Sequence, residues 1–155
     1  MPKSDVHSMC RFSEVALLVD VCWFDIKGRM KTMMLSPDTT YVAHLIFQFK
    51  DNNWGFESIP MKTCISVVGE RGDSTETDTH TVYLEVGGSG YVVGEHNRHL
   101  PQNRNDGWME IELGEFFNGQ GDDDEVEMRI MENELLNRKS GLYVEGIELR
   151  PKADV

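Results

Sequence analysis

The 155-residue sequence predicts an all-β domain, an antiparallel β-sandwich of jelly-roll type with short helical turns in its loops. Three observations predict it. Apolar residues recur at every second position through many short runs, which is the period of a strand. Clusters of Gly, Asp, Asn and Pro separate those runs. No stretch carries the longer apolar period of an extended amphipathic helix.

The elements follow in order. From Glu14 to Ile26 both the odd positions (Val15, Leu17, Val19, Val21, Trp23) and the even ones (Ala16, Leu18, Cys22, Phe24) are apolar, as in a central strand covered on both faces. "SPDTT" at 36–40 reads as a turn, and Tyr41 to Lys50 as a long second strand. "DNNWGFES" at 51–58 has the polar composition of an exposed turn, in which Trp54 and Phe56 are conspicuous. Phe56 to Gly69 is extended with a break at Pro60, and the acidic, Thr-rich "ERGDSTETDTH" at 70–80 reads as a loop, with a hairpin plausible there. Val82, Leu84 and Val86 form a short strand ended by "GGSG", and 94–107 has the composition of a long exposed loop.

Met109, Ile111 and Leu113 then oppose Trp108, Glu110 and Glu112, and Val126, Met128 and Ile130 oppose Glu127 and Arg129, so each strand has one wet face. One helical turn is expected within 114–125, with Phe116 and Phe117 in the core, and another within "ENELLNRKSG" before a last strand, Leu142 to Arg150. The total is about seven to nine strands. With no repeat or linker, the reading is a single domain over 14–155, preceded by a poorly placed segment, 1–13.

Composition bounds the function. A net charge of −12 argues against attraction to nucleic acid or anionic lipid, which need clustered Lys and Arg. The start "MPKSDVHSMC" lacks the apolar segment of a signal peptide, and no run is long enough for a membrane span, so a cytosolic, soluble protein is expected. Cys10, Cys22 and Cys64 are an odd, sparse set: reduced thiols are expected, the last two in the core and Cys10 open to cross-linking. No nucleophile elbow, phosphate loop, metalloprotease motif or Cys-x-x-Cys occurs. "HNRH" at 96–99 is too short a hint for a metal site, and Asp122, Asp123 and Asp124 lack the ligand spacing of a calcium loop. No cofactor or metal is therefore expected, and accidental carboxylate pairs among 27 acidic residues carry no glycosidase signal.

Four blocks, "WFDIKGRMKTMMLSPDTTYVAHLIFQF", "WGFESIPMKTCISVVGE", "RNDGWMEIELGEFFNGQGDDDEVEMRIMENE" and "NRKSGLYVEGIELRPK", resemble in that order the phloem protein 2 family of plants, also called Nictaba-related lectins, over about residues 14–152. The resemblance implies a jelly-roll lectin, often dimeric, in cytosol or phloem sap, binding oligomers of N-acetylglucosamine. Relatives commonly carry tyrosine before "GF" where this chain has Trp54.

A lectin needs an accessible aromatic plate for the C–H face of a sugar and polar side chains for its hydroxyls. Trp54 is the leading platform, since burial is least expected in a polar turn. Trp23 is the second, although its position in an apolar strand favours core. Trp108 reads as cover for neighbouring strands. Asn52, Asn53, Asn103, Arg104 and Asp106 offer donors and acceptors in candidate rim loops, each otherwise an ordinary solvated turn residue. Glu127 and Glu134 flank the last wet-faced strand as possible acceptors, against the plainer reading that they keep an acidic chain soluble. Outward apolar residues such as Ile46 point to a homodimer. Two other classes compete: a self-associating interaction module without sugar binding, and a carboxylate-dependent hydrolase.

Overall fold

The computed structural model describes residues 8–85, 100–119 and 124–153. Nine strands form two antiparallel sheets: β1 Ser8–Leu18, β2 Phe24–Lys31, β3 Thr39–Trp54, β4 Met61–Val68, β5 Ser74–Val82, β6 Gln102–Asn103, β7 Met109–Asn118, β8 Glu125–Glu132 and β9 Ser140–Pro151. The sheet orders are β1-β9-β3-β7-β6 and β2-β8-β4-β5. Early strands alternate between the sheets and the last three fold back among them, which is jelly-roll connectivity once the two-residue β6 is set aside. No helix among the described residues is long and apolar enough to cross a membrane.

Period-two alternation builds the core. Val126, Met128 and Ile130 of β8 are fully buried against the other sheet's inner face, which carries Leu45 and Phe47 of β3, Ile111 and Leu113 of β7, and Leu142 and Val144 of β9. Phe56 is fully buried too, edge-on to Phe24 with ring centres 5.9 Å apart and 5.3 Å from Phe49. Each such side chain contributes about 1.5–3 kcal/mol by leaving water.

The structure corrects several expectations. The apolar run 14–26 is two strands in different sheets, each at an edge, because the chain reverses at Asp20, whose φ is +52°. Its connector leaves Cys22 exposed, and Cys64 is only partly buried. Strand β3 runs on through Asp51, Asn52 and Asn53, so the turn begins only at Gly55, with φ +92°. Within 70–80, residues from Ser74 onward form edge strand β5, hydrogen-bonded to β4 although only Val82 is fully buried.

The helical turns expected after Gly114 and within 132–141 are absent from the described residues there. Strand β7 continues to Asn118, so alternation buries Phe116 and turns Phe117 out to 62% exposure. The one short helix, Thr32–Met34, lies elsewhere. Ile46 is fully buried and offers no outward apolar surface. Val86, "GGSG", "HNRH", Asp122 and Asp123 lie outside the described residues, as do positions 94–99 of the expected loop 94–107.

Candidate functional site

Three segments converge at one end of the sandwich: 19–23 between β1 and β2, 54–59 after β3, and 133–139 before β9. Val21 and Lys139 exchange both backbone hydrogen bonds, at 2.8 and 2.7 Å. Trp54 lies opposite Ser140, on the other side of the same chain segment. Two strand spacings thus separate the backbones of the 21 and 54 regions, roughly 10 Å. Asn137 donates from Nδ2 to the Gly55 carbonyl at 3.0 Å, and Arg138 forms a two-pronged ion pair with Asp20.

A buried ion pair holds this end together. Lys139, with no exposed surface, donates from Nζ to Glu132 Oε1 at 2.6 Å, to the Asn137 carbonyl at 2.9 Å and to the Cys22 carbonyl at 3.2 Å. Glu132 Oε2 accepts the backbone N–H groups of Glu134 and Leu135 at 2.9 and 2.7 Å. Burial pushes the Glu132 carboxyl up, but the Lys139 ammonium and those two N–H groups more than reverse this and hold it below its ordinary value. One lysine therefore joins the end of β8, the 20–23 connector and the start of β9.

On this scaffold Trp23 is 70% exposed, against the core position expected of it, and Trp54 is 48% exposed. Exposed Val19, Leu135 and Leu136 complete an apolar rim. Asn52 and Asn53 precede Trp54 on β3, Asn53 spending its amide on the Lys50 carbonyl at 2.7 Å. Glu134 lies beside Leu135 in a cavity of about 180 Å³ with Pro60, Met61 and Thr81.

The remaining candidates lie elsewhere. Arg104 and Asp106 pair with each other at 3.0 Å and line a polar basin of about 430 Å³ with Asn103, Glu110, Glu148 and Arg150. There Arg150 bonds Glu148 and Glu110 at 2.5 Å each. His44 stands 3.9 Å from Glu110; burial first, and then the Arg150 charge, lower its pKa to about 4. Glu127 sits on the other sheet, receiving Arg29 at 2.8 Å. Trp108 is partly buried, and its backbone N–H donates to Asp106 Oδ1 at 3.1 Å. The structure thus brings Trp54, Asn53, Asn52, Trp23 and Glu134 to one end and leaves Arg104, Asp106 and Glu127 apart from it. Sequence reasoning missed Lys139, Glu132 and Asp20, whose charges carry no local signal of burial or pairing. Among the described residues no cluster of three metal-ligating side chains forms.

This architecture defines an all-β jelly-roll module whose chemistry lies on its surface loops and sheet faces. The phloem protein 2 family model matches residues 3–151, and the chain belongs to that family. It is 44% identical over 143 residues to F-box protein PP2-B10 of Arabidopsis thaliana, covering 91% of this chain and 50% of that protein. It is 40% identical to the putative F-box protein PP2-B12 of the same plant, covering 92% and 50%. The chain thus spans about half the length of these curated relatives. Among solved structures, the CBM22-1 xylan-binding domain of Paenibacillus barcinonensis Xyn10C aligns over 96% of this chain and 87% of its own at 9% identity, with a TM-score of 0.36, too distant a likeness to bear on function.

Proposed function

We infer that the chain is a non-enzymatic lectin that binds oligomers of N-acetylglucosamine, chitooligosaccharides or the core of N-glycans, at the loop end carrying Trp23 and Trp54. One observation carries the reading: two tryptophans stay 70% and 48% exposed on segments pinned to adjacent residues, Lys139 just before β9 and Ser140 at its start. Exposed indoles on a stiff support are what stacking on a sugar face requires, because little side-chain entropy is then lost on binding. Asn52, Asn53 and Glu134 supply amide and carboxylate groups for the sugar's polar edge. An acetamido sugar is neutral, so the protein's negative charge opposes nothing. Its place is the cytosol or phloem sap, as the family resemblance implies.

The test is a glycan array followed by incubation with chitotriose. Binding with no release of free sugar supports the lectin, and turnover overturns the non-enzymatic reading. The exposed Val19, Leu135 and Leu136 favour a second reading, a module that docks a protein on the same rim; binding to no glycan selects it.

A further inference from the structure

The jelly roll carries a second surface with the composition of a sugar site, far from the tryptophan rim. Among the described residues, the second half of β7, beyond its short pairing with β6, is an edge of the five-stranded sheet, and β5 is an edge of the other. Between these edges lies an open cleft of about 470 Å³ lined by Thr40, Thr77, Asp78, Glu115, Phe116 and Phe117. That volume is ample for a pyranose ring. Phe117 is an aromatic plate at 62% exposure.

The polar side of the cleft is fixed in place. Asp78 Oδ2 accepts the backbone N–H of Glu115 at 2.9 Å, and its Oδ1 lies 2.9 Å from His80 Nε2. This reach depends on Gly114 at the β7 irregularity, where a Cβ would stand 3.0 Å from Asp78 Oδ2 and 2.9 Å from Ile65 Cγ1. Lys152 Nζ holds Glu115 at 3.1 Å. Thr77 donates its hydroxyl to the Ile65 carbonyl at 3.1 Å, which leaves the oxygen's lone pairs as acceptors. Oriented carboxylates beside an exposed ring suit a ligand with many hydroxyl donors and an apolar face. Two carboxylates against one lysine disfavour phosphate, sulfate or other anions. A purely apolar partner would strip water from those carboxylates without replacing its hydrogen bonds.

We propose that this cleft is a second glycan site for a neutral pyranose chain, stacked on Phe117 and hydrogen-bonded by Asp78, Glu115 and Thr77, so that a single chain is bivalent. The two sites lie far apart. Thr40, opposite Phe117, is separated from Trp54 by the length of β3, up to about 45 Å of extended strand. Two glycan chains can then be engaged at once without competition.

The proposal rests on the lectin reading, and the two can fail separately. Calorimetric titration of the full chain with chitotriose and with cellotriose, for wild type, Phe117→Ala and the Trp23→Ala/Trp54→Ala double variant, distinguishes them. Two sites in the wild type are expected, one lost in each variant. Affinity at the Phe117 site should fall roughly tenfold or more in Phe117→Ala and return in Phe117→Tyr. An unchanged melting temperature in Phe117→Ala separates lost contact from lost fold. One site, lost in the tryptophan variant and untouched by Phe117→Ala, overturns the cleft and leaves the rim standing. One site lost only in Phe117→Ala upholds the cleft and overturns the rim. No binding of either trisaccharide at millimolar concentration overturns both.

Discussion

Lys139 Nζ lies 2.6 Å from Glu132 Oε1, with side-chain exposures of 0% and 2%. A charge so far from water is tolerated only when every donor finds an acceptor, and the carbonyls of Cys22 and Asn137 complete the set. Lys139→Met is therefore expected to cost about 3–5 kcal/mol, because Glu132 is left charged and unpaired. The double variant Lys139→Met/Glu132→Leu should be less damaging than the single. Urea unfolding midpoints of the wild type, the Lys139→Met and Glu132→Leu single variants and the double check this, and an additive double variant would show that the pair is not coupled.

Trp54→Ala should weaken chitotriose binding about tenfold or more while the fold persists, since the ring is half exposed and a stacking contact contributes about 0.5–1.5 kcal/mol beyond its area. Trp54→Tyr should recover most of it, and Trp23→Ala should act similarly. Calorimetry reads the affinity. A lowered melting temperature with undiminished binding would instead make Trp54 a packing residue.

Gly55→Ala should destabilise by about 2 kcal/mol or more, seen as a melting point several degrees lower. Its φ is +92°, and an added Cβ would meet the Arg138 carbonyl oxygen at 2.1 Å. The affected contact adjoins the proposed site, so sugar affinity should fall with it. A variant that melts with the wild type would refute the close approach.

Stability should decline as pH falls from about 6.5 towards 4. His44 has a folded pKa of about 4 against 6.5 when unfolded, so over that window the unfolded chain binds more protons and acidification favours it. The full effect is on the order of 3 kcal/mol. Glu110 is also held below its ordinary value: burial raises it, and Arg150 more than reverses that, so further loss follows below the usual carboxylate range. Denaturation of His44→Gln at pH 7, 5.5 and 4.5 should show a flatter slope; an unchanged slope would remove His44 from the account.

A homodimer mass is expected in light scattering at micromolar concentration. Among the described residues β1 and β2 are edge strands, whose outer backbone groups suit a twofold partner, in place of the buried Ile46. A monomer mass across that range would end the idea.

The parts of the fold legible in the sequence were those with one wet and one dry face. Strands β7 and β8 alternate Glu or Arg with Ile, Leu, Met and Val, and this pattern specifies register as well as strand. The 14–26 run was illegible as two strands because both of its faces are apolar and it breaks at an aspartate rather than at Gly or Pro. The 70–80 segment reads as loop with a hairpin because an edge strand of Ser, Thr, Glu and Asp lacks a buried face, and β5 pairs with β4 in that hairpin. Trp54 reads as a turn residue in the sequence but stands at the end of a strand. Trp23 was misjudged because exposure depends on where the connector emerges. Nothing local could mark Lys139, whose partner Glu132 is seven residues earlier and in the other sheet.

Strand β5 has one further consequence. Open strand edges invite chains to stack on one another into fibres, above all where the segment is flat and uncharged. Here the edge segment "STETDTHTV" presents exposed Glu76 and partly exposed Asp78, so a second β5 laid against it brings carboxylates together. Such a strand acts as a gatekeeper against runaway polymerisation. Neutralising it by Glu76→Thr together with Asp78→Thr removes that guard, and slow precipitation rather than unfolding becomes the hazard.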